Sequence, residues 1–110
     1  MIKEYSKNNL STENKEIILN QIDRINIISK LNNNHIANKI LYDFLVYSID
    51  YGYIALSESD IINSFENKHF ETIIKNTLSI LCDKKILNKN INNNIIHYSL
   101  NYKYFNDNDI

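Results

Sequence analysis

The sequence contains no proline, no tryptophan, one glycine and one cysteine in 110 residues. With Gly52 alone, neither a glycine-rich phosphate loop nor a nucleophile elbow can be built, because both need several positions free of a Cβ. Most nucleotide-dependent enzymes are thereby excluded. Cys82 has no second thiol in the chain, so an internal disulfide framework and a multi-cysteine zinc site are excluded too. Arginine is almost missing, with Arg24 the single one among 12 lysines and arginines. No apolar run approaches the roughly 20 residues that cross a bilayer. The start of the chain, Met1-Ile2-Lys3-Glu4-Tyr5-Ser6-Lys7, lacks the apolar stretch of a secretory signal. The expectation is a cytoplasmic protein without a membrane partner.

What is present is ordinary in bulk and biased in detail. At 44% hydrophobic and 23% charged residues, the chain has the composition of a packed globular domain, and its length suits one core. Isoleucine occupies 21 positions and asparagine 20, a bias expected from AT-rich coding. The runs Asn32-Asn33-Asn34 and Asn92-Asn93-Asn94 are accordingly read as permissive loops.

Residues 1–10 are polar and aperiodic and are expected to form a flexible arm, and residues 106–110 an acidic tail. Between them, residues 11–105 read as one domain. Ser11 and Thr12 can accept bonds from free amides, and Glu13 and Glu16 suit a helix N-terminus. A helix is expected over residues 12–31, with Ile17, Ile18, Ile22, Ile25 and Ile28 on one arc at roughly 100° per residue. It carries more apolar surface than a small core can cover, so Ile18, Ile22 and Ile25 are predicted to form a dimer interface. Asn32 to Asn34 are expected to end it. A second helix is predicted from about Ile36 to Tyr51, ended by Gly52. Tyr53 to Leu56 form a short extended piece. Ser57 then caps a short helix carrying Ile61, Ile62 and Phe65. After a polar turn, Phe70, Ile74, Thr77, Leu78 and Leu81 define the core stripe of a helix ending near Lys84. From there the period changes from three-and-four to two. Ile86 to Ile91 and Ile95 to Tyr104 read as strands of a hairpin, with Ile96, Tyr98, Leu100 and Tyr102 alternating with polar residues. The fold class is α+β, mainly helical with a small β-hairpin.

The spacing Leu56-Ser57-x-x-Asp60-Ile61-Ile62-x-x-Phe65, followed by Ile74-x-x-x-Leu78-x-x-Leu81-x-x-x-Lys85-Ile86-Leu87, resembles the winged helix-turn-helix superfamily over about residues 36–105. Two departures stand out: the turn is about two residues longer than usual, and Lys85 stands where many members have glycine before the wing. In size, element order and composition the chain also looks like the DNA-binding adaptor of tubulin-type plasmid or phage partition systems. The resemblance implies a homodimer binding duplex DNA, the second helix in the major groove and the wing beside it. It implies a transcriptional repressor or a centromere-binding adaptor whose partner protein is a filament-forming partition NTPase. A protein-protein module on the same fold is the alternative.

Charge distribution bears on that choice, because phosphate binding needs local positive charge. Residues 67–104 hold six basic side chains against two acidic ones, in a chain whose net charge is −1. Lys68, His69, Thr72, Lys75 and Asn76 fall at the start and open face of the second helix, where Asn can pair with adenine, Lys with guanine and Thr with a thymine methyl. Lys89, Asn90, Asn92 and Asn93, with Asn94, fall on the wing, where contacts go to phosphate and sugar. An AT-rich duplex is the expected ligand.

Enzyme chemistry has little to stand on. His35, His69 and His97 have no carboxylate or thiol at a spacing that makes a metal site or a triad, and Cys82 beside Leu81 reads as a small buried hydrophobe. No catalysis, metal or cofactor is expected. Tyr42, Tyr47, Tyr51 and Tyr53 are expected to pack around the first helix, and Tyr98, Tyr102 and Tyr104 to serve as strand formers.

Overall fold

The structure, a computed structural model, describes residues 12–31, 34–51, 55–66, 70–101 and 103. The N-terminal arm, the acidic tail, Gly52, Tyr53, Lys68, His69, Tyr102 and Tyr104 lie outside the described residues. Among the described residues, four helices and three strands follow in the order α1 (Thr12–Ser29), α2 (His35–Tyr51), β1 (Leu56–Ser57), α3 (Glu58–Asn63), α4 (Glu71–Asp83), β2 (Leu87–Asn92) and β3 (Ile95–Leu100). The strands form one antiparallel sheet in the order β1-β3-β2. The fold is α+β and mainly helical.

One hydrophobic core draws on every element. At its centre lies α2, where Ile40, Leu41, Phe44, Leu45 and Val46 are all buried. A helix apolar on several sides must be covered on several sides, and α1 and α4 both pack on it. From α1 the buried residues are Ile18, Ile22 and Ile25, only 3%, 4% and 0% exposed. The dimer assignment of these three is therefore corrected: α2 covers them within one chain, so they are core. The arc is also rotated from the expected one. Ser29 joins the buried side, while Ile17 and Ile28 are 50% and 54% exposed. Asn26 fixes this packing by donating from Nδ2 to the Ile22 carbonyl at 3.0 Å and to Asn38 Oδ1 of α2 at 2.8 Å.

The helix ends are specified by single residues. Lys30 adopts φ 56° and turns Leu31 inward, whose amide donates to the Asn26 carbonyl at 3.2 Å. This is the six-to-one bond of a left-handed cap, so α1 ends at Lys30; Asn32 and Asn33 of the expected stop lie outside the described residues. Asn34 serves the next helix instead, where its Oδ1 accepts from the Ala37 amide at 3.0 Å and caps α2. Ser57 caps α3 as expected, accepting from the Asp60 amide at 3.1 Å. At the end of α4, Lys85 adopts φ 64°, and the amides of Ile86 and Lys85 donate to the carbonyls of Leu81 and Cys82 at 2.9 and 3.0 Å. Both bonds and the buried Leu81–Ile86 pair make a Schellman cap. Lys85 thus takes the conformation that glycine would supply. Asn101 locks this corner to the sheet, donating from Nδ2 to the Lys85 carbonyl at 2.7 Å and from its amide to the Ile86 carbonyl at 2.9 Å.

Two aromatic assignments change. Phe70 precedes α4 and is exposed, and Tyr51 at the end of α2 is exposed with its ring 5.7 Å from that of Tyr47. Tyr98 is buried and its hydroxyl donates to Glu58 Oε2 at 2.9 Å, tying β3 to the first turn of α3. Burial and that carboxylate push its pKa well above the usual phenol range. No helix among the described residues is long and apolar enough to cross a membrane.

Candidate nucleic-acid interface

In α4, Ile74, Thr77, Leu78 and Leu81 are buried. The opposite face is polar: Thr72, Asn76 and Ser79 point to solvent, and Lys75 flanks them. Three of the five residues assigned to the second helix therefore share one open face. Lys75 is not free of partners, since its Nζ lies 3.2 Å from Glu71 Oε2 one turn earlier. Both side chains are half-exposed, and such a surface pair is weak enough for a phosphate to displace. On the other flank, Ile73 and Ile80 are half-exposed.

The hairpin register sorts the residues assigned to the wing. Leu87 opposes Leu100, Lys89 opposes Tyr98 and Ile91 opposes Ile96, whereas Asn88 opposes Ser99, Asn90 opposes His97 and Asn92 opposes Ile95. Opposed residues share a face, so Lys89 lies on the side that packs on the helices. There its ammonium group bears on Cys82, whose thiol pKa is raised by burial more than this nearby charge lowers it. Asn90 and Asn92 lie on the other side. Asn93 and Asn94 at the tip adopt φ 53° and 64°, as the two central residues of a type I′ turn require. The asparagine run is thus turn chemistry at defined positions, not permissive filler.

Two polar clusters that sequence reading missed hold α3 in place. Lys39 Nζ sits 2.6 Å from Asp43 Oδ2, donates to Ser64 Oγ at 3.2 Å and lies 4.4 Å from the centre of the Phe65 ring. Asp43 is buried, and desolvation raises its pKa despite the Lys39 hydrogen bond and charge, which lower it. The i, i+4 spacing of Lys39 and Asp43 was a visible signal, but Ser64 and Phe65 come from a distant part of the chain. The second cluster is the Tyr98–Glu58 pair. Glu58 also borders an open hollow between α3 and α4 with Ser59, Ile62, Asn63, Glu71 and Lys75.

Set against the models of known families, the curated proteins and the solved structures, the chain has no match. Its functional reading rests on its own residues. Among the described residues no three His, Cys, Asp or Glu side chains come together as a metal site would require. His35 opens α2, and His97 lies half-buried across from Asn90.

Proposed function

We propose that the chain is a winged helix-turn-helix protein that binds duplex DNA as a homodimer in the cytoplasm, with α3 and α4 as the helix pair and β2–β3 as the wing. The observation that carries this reading is a coincidence of charge and exposure. The segment with six basic and two acidic residues, 67–104, spans α4 and the hairpin, and Thr72, Lys75, Asn76, Lys89, Asn90, Asn92 and Asn93 are all exposed on it. The element order and the sheet order β1-β3-β2 support the winged arrangement. In this reading α4 offers Asn76, Lys75 and Thr72 to base edges in the major groove, and Lys89 holds phosphate. The dimer forms through the outward side of α1, where Ile17 and Ile28 stand in line along the helix. Such a small module suits a repressor or a centromere-binding adaptor that hands DNA to a filament-forming partition NTPase.

The mutational test separates positioning from reading. Asn76→Ala or Lys75→Ala should cost roughly 1 to 3 kcal/mol on a preferred AT-rich site and much less on random duplex. Lys89→Ala should weaken both by similar factors and make the salt slope shallower by about one unit. Uniform losses from the α4 variants, with relaxed specificity only from Lys89→Ala, would move the reading element to the wing.

A second reading, a protein-protein module, is favoured by the carboxylates of Glu58 and Glu71 around the α3–α4 hollow and by half-exposed Ile73 and Ile80. It requires that no duplex bind in a salt-dependent way.

A further inference from the structure

The sheet has an open side. In the order β1-β3-β2, β2 is the outer strand, and among the described residues no strand pairs with its far edge. Which of its backbone groups face outward follows from the hairpin. Asn92 and Ile95 flank the two-residue Asn93-Asn94 turn and form its hydrogen-bonded pair. Bonded and unbonded pairs alternate along an antiparallel ladder, so Asn90 and Asn88 also bond inward to β3. Lys89 and Ile91, between them, turn N–H and C=O outward. Helices cover only the start of this strand: Leu87 is buried, whereas Asn88 to Asn92 are all exposed. The outer half of the hairpin therefore projects past the helices with its edge groups free for a further strand.

Side chains on that edge say what such a strand carries. Lys89 and Ile91 share one face and extend two rows across the sheet, Tyr98–Lys89 and Ile96–Ile91. Ile91 is 61% exposed, so an aliphatic neighbour on its outer side would cover apolar surface. Lys89 is the only charge in β2, and the sequence from Lys84 to Lys103 holds four lysines and no acidic residue. We propose that the outer edge of β2 takes an extended acidic segment of a partner protein by main-chain pairing, with Asp or Glu beside Lys89 and an aliphatic residue beside Ile91. Adding a strand to a sheet edge draws affinity from main-chain bonds and specificity from alternate side chains. Antiparallel addition continues the sheet already present, and the segment then reads aliphatic-x-acidic. A second copy is the poorer occupant, because its β2 would bring another Lys89 to the same face, opposite or diagonal to the first in the registers that pair the most residues. Phosphate would satisfy the lysine but offers nothing to the outward carbonyls. The inference does not rest on the DNA-binding reading.

The experiment titrates the isotope-labelled full chain with the blocked peptide Thr-Val-Thr-Glu-Thr and follows amide shifts and hydrogen exchange. Exchange at the Lys89 and Ile91 amides should be fast in the free protein and slow in the complex, while Asn88 and Asn90, already bonded to β3, keep their rates. Thr-Val-Thr-Gln-Thr should bind about twofold to fivefold more weakly, as expected for an opposed charge pair. Lys89→Glu should lose the acidic peptide and gain Thr-Val-Thr-Lys-Thr. Ile91→Pro removes an outward N–H and leaves the inward ladder intact, and should bind neither peptide. Lack of protection at Lys89 and Ile91 with millimolar peptide overturns the proposal, as does a lysine peptide that fails to bind Lys89→Glu. Protection of the same amides that rises with protein concentration alone gives the edge to a second copy and overturns the partner strand. Protection by an AT-rich duplex in place of the peptide gives it to nucleic acid and overturns it too.

Discussion

Asp43 is the residue whose chemistry most constrains the fold's response to pH. Its buried carboxyl has a pKa raised above 3.8, because desolvation outweighs the bond from Lys39. In the window that opens at 3.8 and closes at the raised value, the folded chain binds more protons than the unfolded one, so stability falls as pH rises through it. Asp43→Asn removes this contribution. The free energy of unfolding of wild type minus that of Asp43→Asn, from urea melts, should thus be more favourable to wild type below pH 3.8 than at neutral pH. A difference that grows with pH would mean that the ion pair dominates after all. Lys85 carries a second residue-level prediction. Any L-residue at φ 64° pays about 1 to 2 kcal/mol for its Cβ, so Lys85→Gly should raise stability by up to about 1 kcal/mol after the backbone entropy of glycine is subtracted, and Lys85→Val, whose β-branching suits this conformation less than lysine does, should lower it in thermal melts. The i, i+4 spacing of Lys39 and Asp43 was legible in the sequence, but the burial of Asp43 and the left-handed backbone of Lys85 were not. A lysine carries no signal for left-handed backbone, and the partners of Lys39 at Ser64 and Phe65 meet it only once α3 has docked.

Elements were more legible than faces. Ser57 with Asp60, the stripe from Ile74 to Leu81 and the alternation of Ile96, Tyr98 and Leu100 located α3, α4 and the hairpin, because caps and periods are local physics. For α1 the existence of the helix was plain but its orientation was not. Isoleucine occurs on every side of it, so periodicity alone placed Ile17 and Ile28 with Ile18, Ile22 and Ile25, whereas the bond from Asn26 to Asn38 selects the inward arc. The consequence is measurable. Ile25→Ala should cost about 2 to 5 kcal/mol, enough to unfold much of a marginal domain. Ile17→Ala should change the stability of one chain by less than about 0.5 kcal/mol. Ile17→Asp/Ile28→Asp should keep its helical circular dichroism yet sediment at 13.0 kDa where wild type sediments at twice that mass. A wild type that already sediments as a monomer contradicts the dimer.

For the whole molecule, the decisive feature is an uneven charge distribution on a nearly neutral chain. Net charge −1 hides an acidic front, with six basic and nine acidic residues over 1–66, and a basic segment over 67–104. The candidate surface was legible in part: Thr72, Lys75 and Asn76 do share the open side of α4, but the sheet register that separates Lys89 from Asn90 and Asn92 depends on where the turn falls. The most direct measurement is fluorescence anisotropy of a labelled AT-rich duplex titrated with the protein over a series of salt concentrations. With about four to six lysines near phosphate per subunit, each contributing about −0.9 to the slope of log affinity against log salt, a slope of about −4 to −5 per subunit is predicted. A slope near zero, or no binding at low salt, would contradict DNA binding and leave the protein-protein reading in its place.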